Sequence, residues 1–354
     1  MSRLAVLNPK GRDPFIDYRG GDLGPQIGQH PPVNFHAFAA ASRGAFFDNT
    51  GALIAEASSF DGVLILIRRR AWISLQAAKE IQKKTDLPVW ISWKECGTDQ
   101  IADQLQSRRA AQAYAALLEL AVKVLTPTLS APPWIGTGDP AEFQKKLISF
   151  PTPYPFDRPE WDFARPIQER EGLMIGTREF GAPGRNHLLA LKRAAEMAHQ
   201  FKIPRVSVIN SEKKAGMKQL RSLEGLFPKN CLRMIERPLS YLDYLDEIAR
   251  HRIVFQLDAS QVPGQVAGDC LLANTLCVGG STAIDQLAFP RFANHLSNLD
   301  VDKSDLIGDL LHDDPIYEQA LREVSEQARP LSFASAAKRI DRELARQSSC
   351  GEEE

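Results

Sequence analysis

Two arginines stand in a glycine-rich loop between a short apolar run and a helical pattern. The stretch reads Ile175-Gly-Thr-Arg178-Glu-Phe-Gly-Ala-Pro-Gly-Arg185. The planar fork of arginine matches the oxygens of a phosphate, and the free N–H groups at the start of a helix attract anions. The loop is therefore predicted to bind a phosphate through Arg178 or Arg185, with a solvated loop as the alternative. Its spacing is not G-x-G-x-x-G, so it does not indicate NAD.

A second loop of this kind follows an apolar run and opens a helix. It reads Asp258-Ala-Ser-Gln261-Val-Pro-Gly264-Gln-Val-Ala-Gly268-Asp269. Gly264 would let the backbone approach a ligand closely, and the helix start again suits phosphate. Asp269, a little over one turn into the helix, could accept hydrogen bonds from ribose hydroxyls, as acidic residues do in nucleotide-binding folds. A turn with a solvated aspartate is the alternative.

Charged residues also follow two apolar runs in the first half of the chain. Arg68-Arg69-Arg70 comes directly after Gly62–Ile67 and could hold an anion such as a lipid diphosphate; a solvated helix start is the alternative. Glu95, beside Lys94, is a candidate acid/base or a contact to a second substrate. The lysine-rich Trp72–Lys84 pattern is compatible with peripheral membrane association or with ordinary amphipathic packing.

The elements that position these residues alternate between strand and helix in the first half. We predict strands at Leu4–Leu7, Gly62–Ile67, Val89–Trp93 and, as the last one, Val122–Leu125. Between them we predict helices at Asn34–Ala45, Trp72–Lys84 and Asp99–Leu120. Such alternation implies crossover connections and a parallel sheet.

The same alternation restarts after a proline-rich segment, Ser149–Gln168. We predict strands at Leu173–Gly176, Arg205–Ile209, Leu232–Ile235, Ile253–Leu257 and Leu276–Val278, and helices at Asn186–Phe201, Lys214–Leu226, Gln265–Ala273, Phe333–Arg346 and from a Ser240 cap to Arg250. The expected organisation is two α/β domains, 1–165 and 166–330, facing across a cleft, with 331–354 forming a helix that returns to the first. Ligands in open parallel sheets bind beyond the carboxyl ends of the strands.

Composition limits the functional classes. The chain has 354 residues, 44% hydrophobic and 25% charged, with a net charge of −1, which indicates a globular protein without general affinity for nucleic acid. Its five cysteines lack C-x-x-C spacing and its seven histidines lack ligand spacing, so no metal site is expected. With neither a signal peptide nor an apolar run long enough to span a bilayer, we expect a cytoplasmic protein that could work at the inner face of the membrane.

The second half resembles the donor-binding half of group 1 glycosyltransferases, which are GT-B enzymes of the glycogen synthase and sucrose synthase kind. The likeness runs from Tyr241-Leu-Asp-Tyr-Leu through Val254-Phe-Gln-Leu and Gln261–Asp269 to Leu276-Cys-Val. Gly176, Arg178, Arg185 and Leu188-Leu189 are similar to the family's Gly-Arg…Lys-Gly…Leu-Leu segment. In the first half, Gly20-Gly21 resembles the Gly-Gly loop that lies under the donor diphosphate, although an ordinary turn explains it equally well.

The resemblance implies two Rossmann-like domains, the first binding an acceptor and the second a nucleotide sugar. It implies a retaining hexosyltransferase that needs neither metal nor cofactor and moves a sugar, taken as glucose, from a UDP-sugar to a carbohydrate or lipid-linked acceptor in polysaccharide or glycoconjugate synthesis. Arg178 and Arg185 would stabilise the leaving diphosphate. The remaining implied donor contacts are Gly20 and Gly21 under the diphosphate and Glu236 and Arg237 near the nucleobase. Gln261 would contact the sugar, Asp269 the ribose, and Gly264 would let the backbone approach the donor.

Three departures from the family pattern keep other functions open. Gln261 and Asp269 replace the paired glutamates, and Trp93-Lys94-Glu95 occupies the corner where a histidine often stands. One alternative is a UDP-sugar 2-epimerase of similar fold, and another is a catalytically degenerate protein that binds a sugar nucleotide. A nicotinamide dehydrogenase is the least supported alternative, because neither half carries the fingerprint.

Overall fold

The computed structural model describes residues 1–24, 30–135, 138–177, 179–182, 184–294 and 304–349. The chain forms two compact units. Unit 1 comprises Met1–Glu160 together with Pro330–Glu354, and unit 2 comprises Trp161–Arg329. The first passage from unit 1 to unit 2 lies within the proline-rich segment.

Unit 1 is built on a mixed sheet of seven strands within the described residues. Its strands are β1 (Leu4–Leu7), β2 (Ile16–Asp17), β3 (Ala45–Phe47), β4 (Gly62–Ile67), β5 (Val89–Trp93), β6 (Lys123–Thr126) and β7 (Leu147–Ser149). Its first helices are α1 (Phe35–Ala41), α2 (Thr50–Ala55), α3 (Ala71–Lys84), α4 (Thr98–Gln104), α5 (Arg108–Leu120) and α6 (Pro140–Lys146). The strand order is β2-β3-β1-β4-β5-β6-β7, and every neighbouring pair is parallel except β2 with β3.

The central strands of unit 1 are apolar throughout because helices cover both faces of the sheet. All residues of β1, β4 and β5 are buried. One face packs with residues of α3 and α5, such as Ile81 and Leu117, and the other packs with residues of α1, such as Phe38. Continuous hydrophobic runs of this kind are typical of buried parallel strands.

Three elements differ from the sequence-based expectation. The predicted helix 34–45 ends at Ala41, and Ala45 opens β3. Gly44 lies between them, and a Cβ there would stand 2.0 Å from the carbonyl oxygen of Leu4, so only glycine fits. The predicted helix 99–120 is two helices, because the Ser107 side chain caps the start of α5 by accepting from the backbone N–H of Ala110. Finally, β6 is not the last strand, since β7 pairs beside it.

Unit 2 is built on a parallel sheet of five strands within the described residues. Its strands are β8 (Leu173–Ile175), β9 (Val206–Ile209), β10 (Leu232–Ile235), β11 (Ile253–Phe255) and β12 (Leu276–Val278), in the order β10-β9-β8-β11-β12. Its helices are α7 (His187–Gln200), α8 (Lys213–Leu223), α9 (Tyr241–Ala249), α10 (Gln265–Leu272), α11 (Ala283–Ala288), α12 (Ser304–His312) and α13 (Asp314–Ala328). The predicted Ser240 cap of α9 is present, with its side chain accepting from the backbone N–H of Asp243.

The last helix, α14 (Phe333–Ser349), belongs to unit 1. Its buried residues Phe333, Ile340 and Leu344 join the same core as α1 and β1. The Asp157 carboxylate accepts from the backbone N–H groups of Phe333 and Ala334 at 3.3 and 3.0 Å. This carboxylate satisfies donors that an uncapped helix start would leave unpaired.

Candidate functional site

The carboxyl ends of the five unit 2 strands lie at one edge of the sheet because all five run parallel. The loops β8–α7, β11–α10 and β12–α11 leave this edge from neighbouring strands. The sequence-predicted residues Arg185, Gln261 and Gly264 lie in the first two of these loops, and Asp269 lies in the helix that follows. Arg178, which was predicted to bind phosphate, lies outside the described residues.

The Arg185 side chain pairs with two carboxylates at this edge of the sheet. Its Nη1 donates to the Asp258 carboxylate, and its Nε lies 3.2 Å from the Glu179 carboxylate. The two partners differ in exposure, since the Asp258 side chain is 2% exposed and the Glu179 side chain 49%. The Arg185 side chain is 23% exposed, so it is only partly covered by the protein.

Backbone contacts join the β8–α7 loop to the β11–α10 loop. The N–H of Ala259 donates to the carbonyl of Gly184 at 2.7 Å, and the Asn186 side chain donates to the carbonyl of Leu257 at 2.9 Å. Gly184 has φ +75°, and a Cβ added to it would lie 3.0 Å from the Cα of Ser260. A glycine at this position therefore allows Ser260 to approach closely. The two loops that carry the candidate phosphate contacts therefore form one bonded surface.

Gly264 begins α10 in a conformation that other residues rarely adopt. Its φ is +102°, and a Cβ would stand 2.0 Å from Thr282 Oγ1. The glycine thus brings the start of α10 against the β12–α11 loop, where Thr282 and Asp285 form a capping box. Gln261, with φ 52°, lies in the same loop three residues earlier. The predicted placement of a glycine at this helix start matches the structure, but its role toward a ligand stays a prediction.

Asp269 lies inside unit 2 rather than on its surface. The residue is 1% exposed, and the hydroxyl of Tyr241 donates to its carboxylate. The helix start at Gly264 turns this residue into the interior, which its position in the sequence did not reveal. Contact with a ribose hydroxyl requires the side chains around Asp269 to move, and the predicted role stays untested.

Glu236 and Arg237 follow β10, at the outer strand of the sheet, and both are exposed. Strand β9 separates β10 from β8, so two interstrand spacings, about 10 Å in total, separate these residues from the Arg185 loop. That separation is compatible with their predicted place near a nucleobase, and no structural observation assigns them that role.

In unit 1, a polar cluster lies where β1, β4 and β5 end. Lys94 donates to the Asp13 carboxylate, which also accepts from Asn8 Nδ2 at 2.7 Å. Burial acts to raise the pKa of Asp13, but the ammonium of Lys94 and the amide of Asn8 outweigh it, so the pKa lies below its ordinary value. Glu95, the predicted acid/base candidate, lies 4.0 Å from Arg68 and is partly exposed. Sequence reasoning missed Asp13; its only signal was a charged residue in a loop after a buried strand.

Gly20 and Gly21 are not brought to this cluster. They follow β2, whose antiparallel pairing places Asp17 opposite Ala45, the first residue of β3. The N–H of Gly21 donates to the carbonyl of Tyr18, and the N–H of Tyr18 donates to the carbonyl of Gly44, which directly precedes β3. The glycines therefore lie beside the amino-terminal end of β3, whereas the polar cluster lies at the carboxyl ends of the parallel strands. This placement is not visible in the sequence, because β2 is only two residues long.

Two histidines near the loops, the buried His187 and the partly buried His36, have lowered pKa values. Burial lowers the pKa of both His36 and His187 from 6.5 to about 4. Tyr18 contacts His36 through a hydrogen bond of 3.1 Å, and Thr177 contacts His187 at the same distance. Neither was predicted to be a catalyst.

No group of three or more His, Cys, Asp or Glu side chains within the described ranges could hold a metal ion. In the same part of the chain, no helix is long and apolar enough to cross a membrane.

Solved structures resemble the chain over nearly its whole length. The trehalose-6-phosphate structure from E. coli bound with UDP-2-fluoro glucose has a TM-score of 0.59 at 10% identity and covers 97% of this chain and 99% of its own. A sucrose-phosphate synthase from Thermosynechococcus elongatus has 0.57 at 10%, covering 99% and 100%. A UDP-forming α,α-trehalose-phosphate synthase from Burkholderia xenovorans in complex with glucose-6-phosphate has 0.54 at 10%, covering 84% and 76%. No protein-family model and no curated protein matches the amino-acid sequence.

These similarities establish the fold. The chain has the GT-B fold, with two Rossmann-like α/β domains, and the predicted fold class is confirmed. At about 10% identity these similarities show the fold alone. Membership of the glycogen synthase-like group stays a prediction.

Proposed function

We propose that the protein transfers a glycosyl group, taken as glucose, from a UDP-sugar to a carbohydrate acceptor. The observation that carries this proposal is the Arg185 loop at the carboxyl edge of the unit 2 sheet, bonded to the loop that opens α10. An accessible arginine at the edge where α/β sheets bind ligands suits a diphosphate. The similar structures support the donor class, because one of them is bound with UDP-2-fluoro glucose.

Unit 2 would bind the donor, and Arg185 would stabilise the negative charge that grows on the diphosphate as it leaves. Such preorganised stabilisation acts mainly on the transition state, where the charge is largest. Arg178 would share this role. Gln261 would contact the donor sugar through a neutral amide, and Asp269 would reach the ribose after rearrangement. Retention of anomeric configuration follows from the family resemblance alone.

Unit 1 would bind the acceptor with the polar cluster at its sheet edge. Lys94 and Arg68 there each lie beside a carboxylate, so the excess positive charge comes from Arg69 and Arg70, which are exposed next to the cluster. This charge favours an acceptor that carries phosphate. The complex of the Burkholderia xenovorans synthase with glucose-6-phosphate supports a sugar phosphate over a lipid-linked sugar. Glu95 would contact the acceptor or move its proton.

The test is the release of UDP from UDP-glucose with glucose 6-phosphate, with unphosphorylated glucose as the matched acceptor. We expect release that requires an acceptor and is faster with the phosphate ester. UDP-GlcNAc alone serves as a control for the epimerase, because epimerisation needs no acceptor. Epimerisation of UDP-GlcNAc in the absence of acceptor would contradict glycosyl transfer.

A binding function without turnover is the second candidate. Two observations favour it: Gln261 stands where the related pattern has a glutamate, and Arg185 is already paired with two carboxylates. This candidate predicts that UDP-glucose raises the melting temperature while no acceptor leads to UDP release. A ligand at 100 times its Kd adds about 2.7 kcal/mol to the free energy of unfolding, which such a measurement resolves.

A further inference from the structure

Arg185 has two carboxylate partners that differ in how firmly they are held. Asp258 is nearly inaccessible, and its Oδ1 accepts from the backbone N–H of Ser260 at 2.8 Å and from the Ser260 hydroxyl at 2.5 Å. Glu179 is about half exposed, and its carboxylate lies 3.2 Å from the guanidinium Nε. Removing the partner of a buried ion leaves an uncompensated charge, whereas an exposed ion pair contributes little. Asp258 is therefore a permanent partner and Glu179 a replaceable one.

The backbone around Asp258 is also fixed. Its carbonyl accepts from the N–H and the hydroxyl of Ser281, at 2.9 and 2.8 Å, which joins this residue to the β12–α11 loop. On its other side, the Ala259–Gly184 bond holds the segment just before Arg185. The Asp258 carboxylate is thus held in place where it accepts from Nη1, while the more exposed Glu179 lies beside Nε.

We propose that Asp258 is a positioning residue that orients Arg185 toward the phosphates of a nucleoside diphosphate. We further propose that Glu179 occupies the accessible side of the guanidinium until such an anion displaces it. This inference rests on the proposed donor site. It assigns Asp258 no contact with the ligand; its effect passes through Arg185.

Two isosteric substitutions test the idea, because each removes one negative charge from the same guanidinium. Asp258→Asn and Glu179→Gln are compared for binding of UDP and of uridine by titration calorimetry. If charge alone mattered, both variants would bind UDP more tightly. A positioning role for Asp258 predicts opposite changes in the two variants. Glu179→Gln lowers the Kd for UDP about two- to fivefold, which is the range for an exposed ion pair. Asp258→Asn raises the Kd for UDP about tenfold or more. Uridine, which lacks phosphate, binds both variants as it binds the wild type.

Circular dichroism establishes that each variant is folded. Should Asp258→Asn not fold, Ser260→Ala takes its place, because this substitution removes a hydrogen bond that holds Asp258 and leaves the charges of Asp258 and Arg185 intact. Ser260→Ala is expected to raise the Kd for UDP about threefold without changing the Kd for uridine. Tighter or unchanged UDP binding in the Asp258 or Ser260 variant overturns the positioning role. Equal losses for UDP and uridine also overturn it, because they indicate general damage to the unit. Failure of the wild type to bind UDP overturns the proposed donor site itself.

Discussion

Replacing Arg185 with alanine removes the side chain that the proposed function assigns to the leaving diphosphate. One well-placed donor to a developing oxyanion contributes about 100- to 1,000-fold in kcat, or roughly 2.7–4 kcal/mol. The Arg185 side chain is partly exposed and is paired with the buried Asp258, so we expect the loss of turnover in Arg185→Ala to fall in this range. The change in KM is expected to be smaller, because the negative charge is larger in the transition state than in the bound donor.

The same substitution also affects stability, and the structure separates the two effects. Asp258 would lose its cationic partner but keep both hydrogen bonds from Ser260. Breaking a fully buried pair costs about 3–5 kcal/mol. Because Arg185 is 23% exposed and solvent screens the pair, we expect a loss of only about 1–2 kcal/mol. In a unit of this size that loss lowers the melting temperature by roughly 2–8 °C, so turnover measured well below the midpoint is unaffected by unfolding.

The assay is UDP release from UDP-glucose at saturating acceptor. Arg193→Ala is the matched control, because Arg193 also pairs with a carboxylate, at 3.0 Å from Glu196, but lies exposed on α7. It is expected to leave turnover unchanged. Arg185→Lys keeps the charge without the fork and is expected to give an intermediate rate. Wild-type turnover in folded Arg185→Ala would refute the assignment of Arg185 to the leaving group.

Three further predictions concern stability and the donor site. His251 is buried, donates to the carbonyl of Glu247 at 2.7 Å and accepts from the Ser207 hydroxyl at 2.8 Å, and burial lowers its pKa to about 4. Because the unfolded histidine takes up its proton near pH 6.5, the free energy of unfolding falls as the pH is lowered from 6.5 toward 4. In urea unfolding, His251→Gln should show a flatter pH dependence between these limits than the wild type. Parallel curves for the two proteins would contradict this. Arg170 is 5% exposed and donates to the carbonyls of residues 165 and 274. In the same assay Arg170→Met is expected to lower the free energy of unfolding by about 3–5 kcal/mol, and the control Arg250→Met, at an exposed arginine, by under about 1 kcal/mol. Equal losses would rule out the buried contacts as the cause. Gly264→Ala places a Cβ against Thr282 at φ +102° and should lower both the melting temperature and the affinity for UDP-glucose in thermal-shift measurements, while unchanged values would show that the α10 start tolerates a side chain.

Much of the fold could be predicted from the sequence because its signals are local. Runs such as Gly62–Ile67 are apolar along their whole length, as parallel strands covered on both faces must be, and the intervening helices have apolar stripes. The boundaries that were wrong depended on contacts between distant segments. Gly44 ends a helical pattern only because its backbone approaches Leu4, and β2 is recognisable only through its pairing with β3.

The sequence by itself determined the class of fold and the two loops in which Arg185 and the helix-start glycine Gly264 stand. Tertiary structure alone decided which groups meet there. Arg185 and Asp258 are separated by 73 residues in sequence and pair because β8 and β11 are neighbours in the sheet. Asp269 is buried against Tyr241, and Gly20 and Gly21 lie away from the carboxyl ends of the parallel strands. Hydrophobic periodicity indicates which faces of a segment are buried by other elements. The order of strands, however, arises from hydrogen bonds between segments far apart in the chain. That order decides which charged side chains of the loops lie close enough to pair.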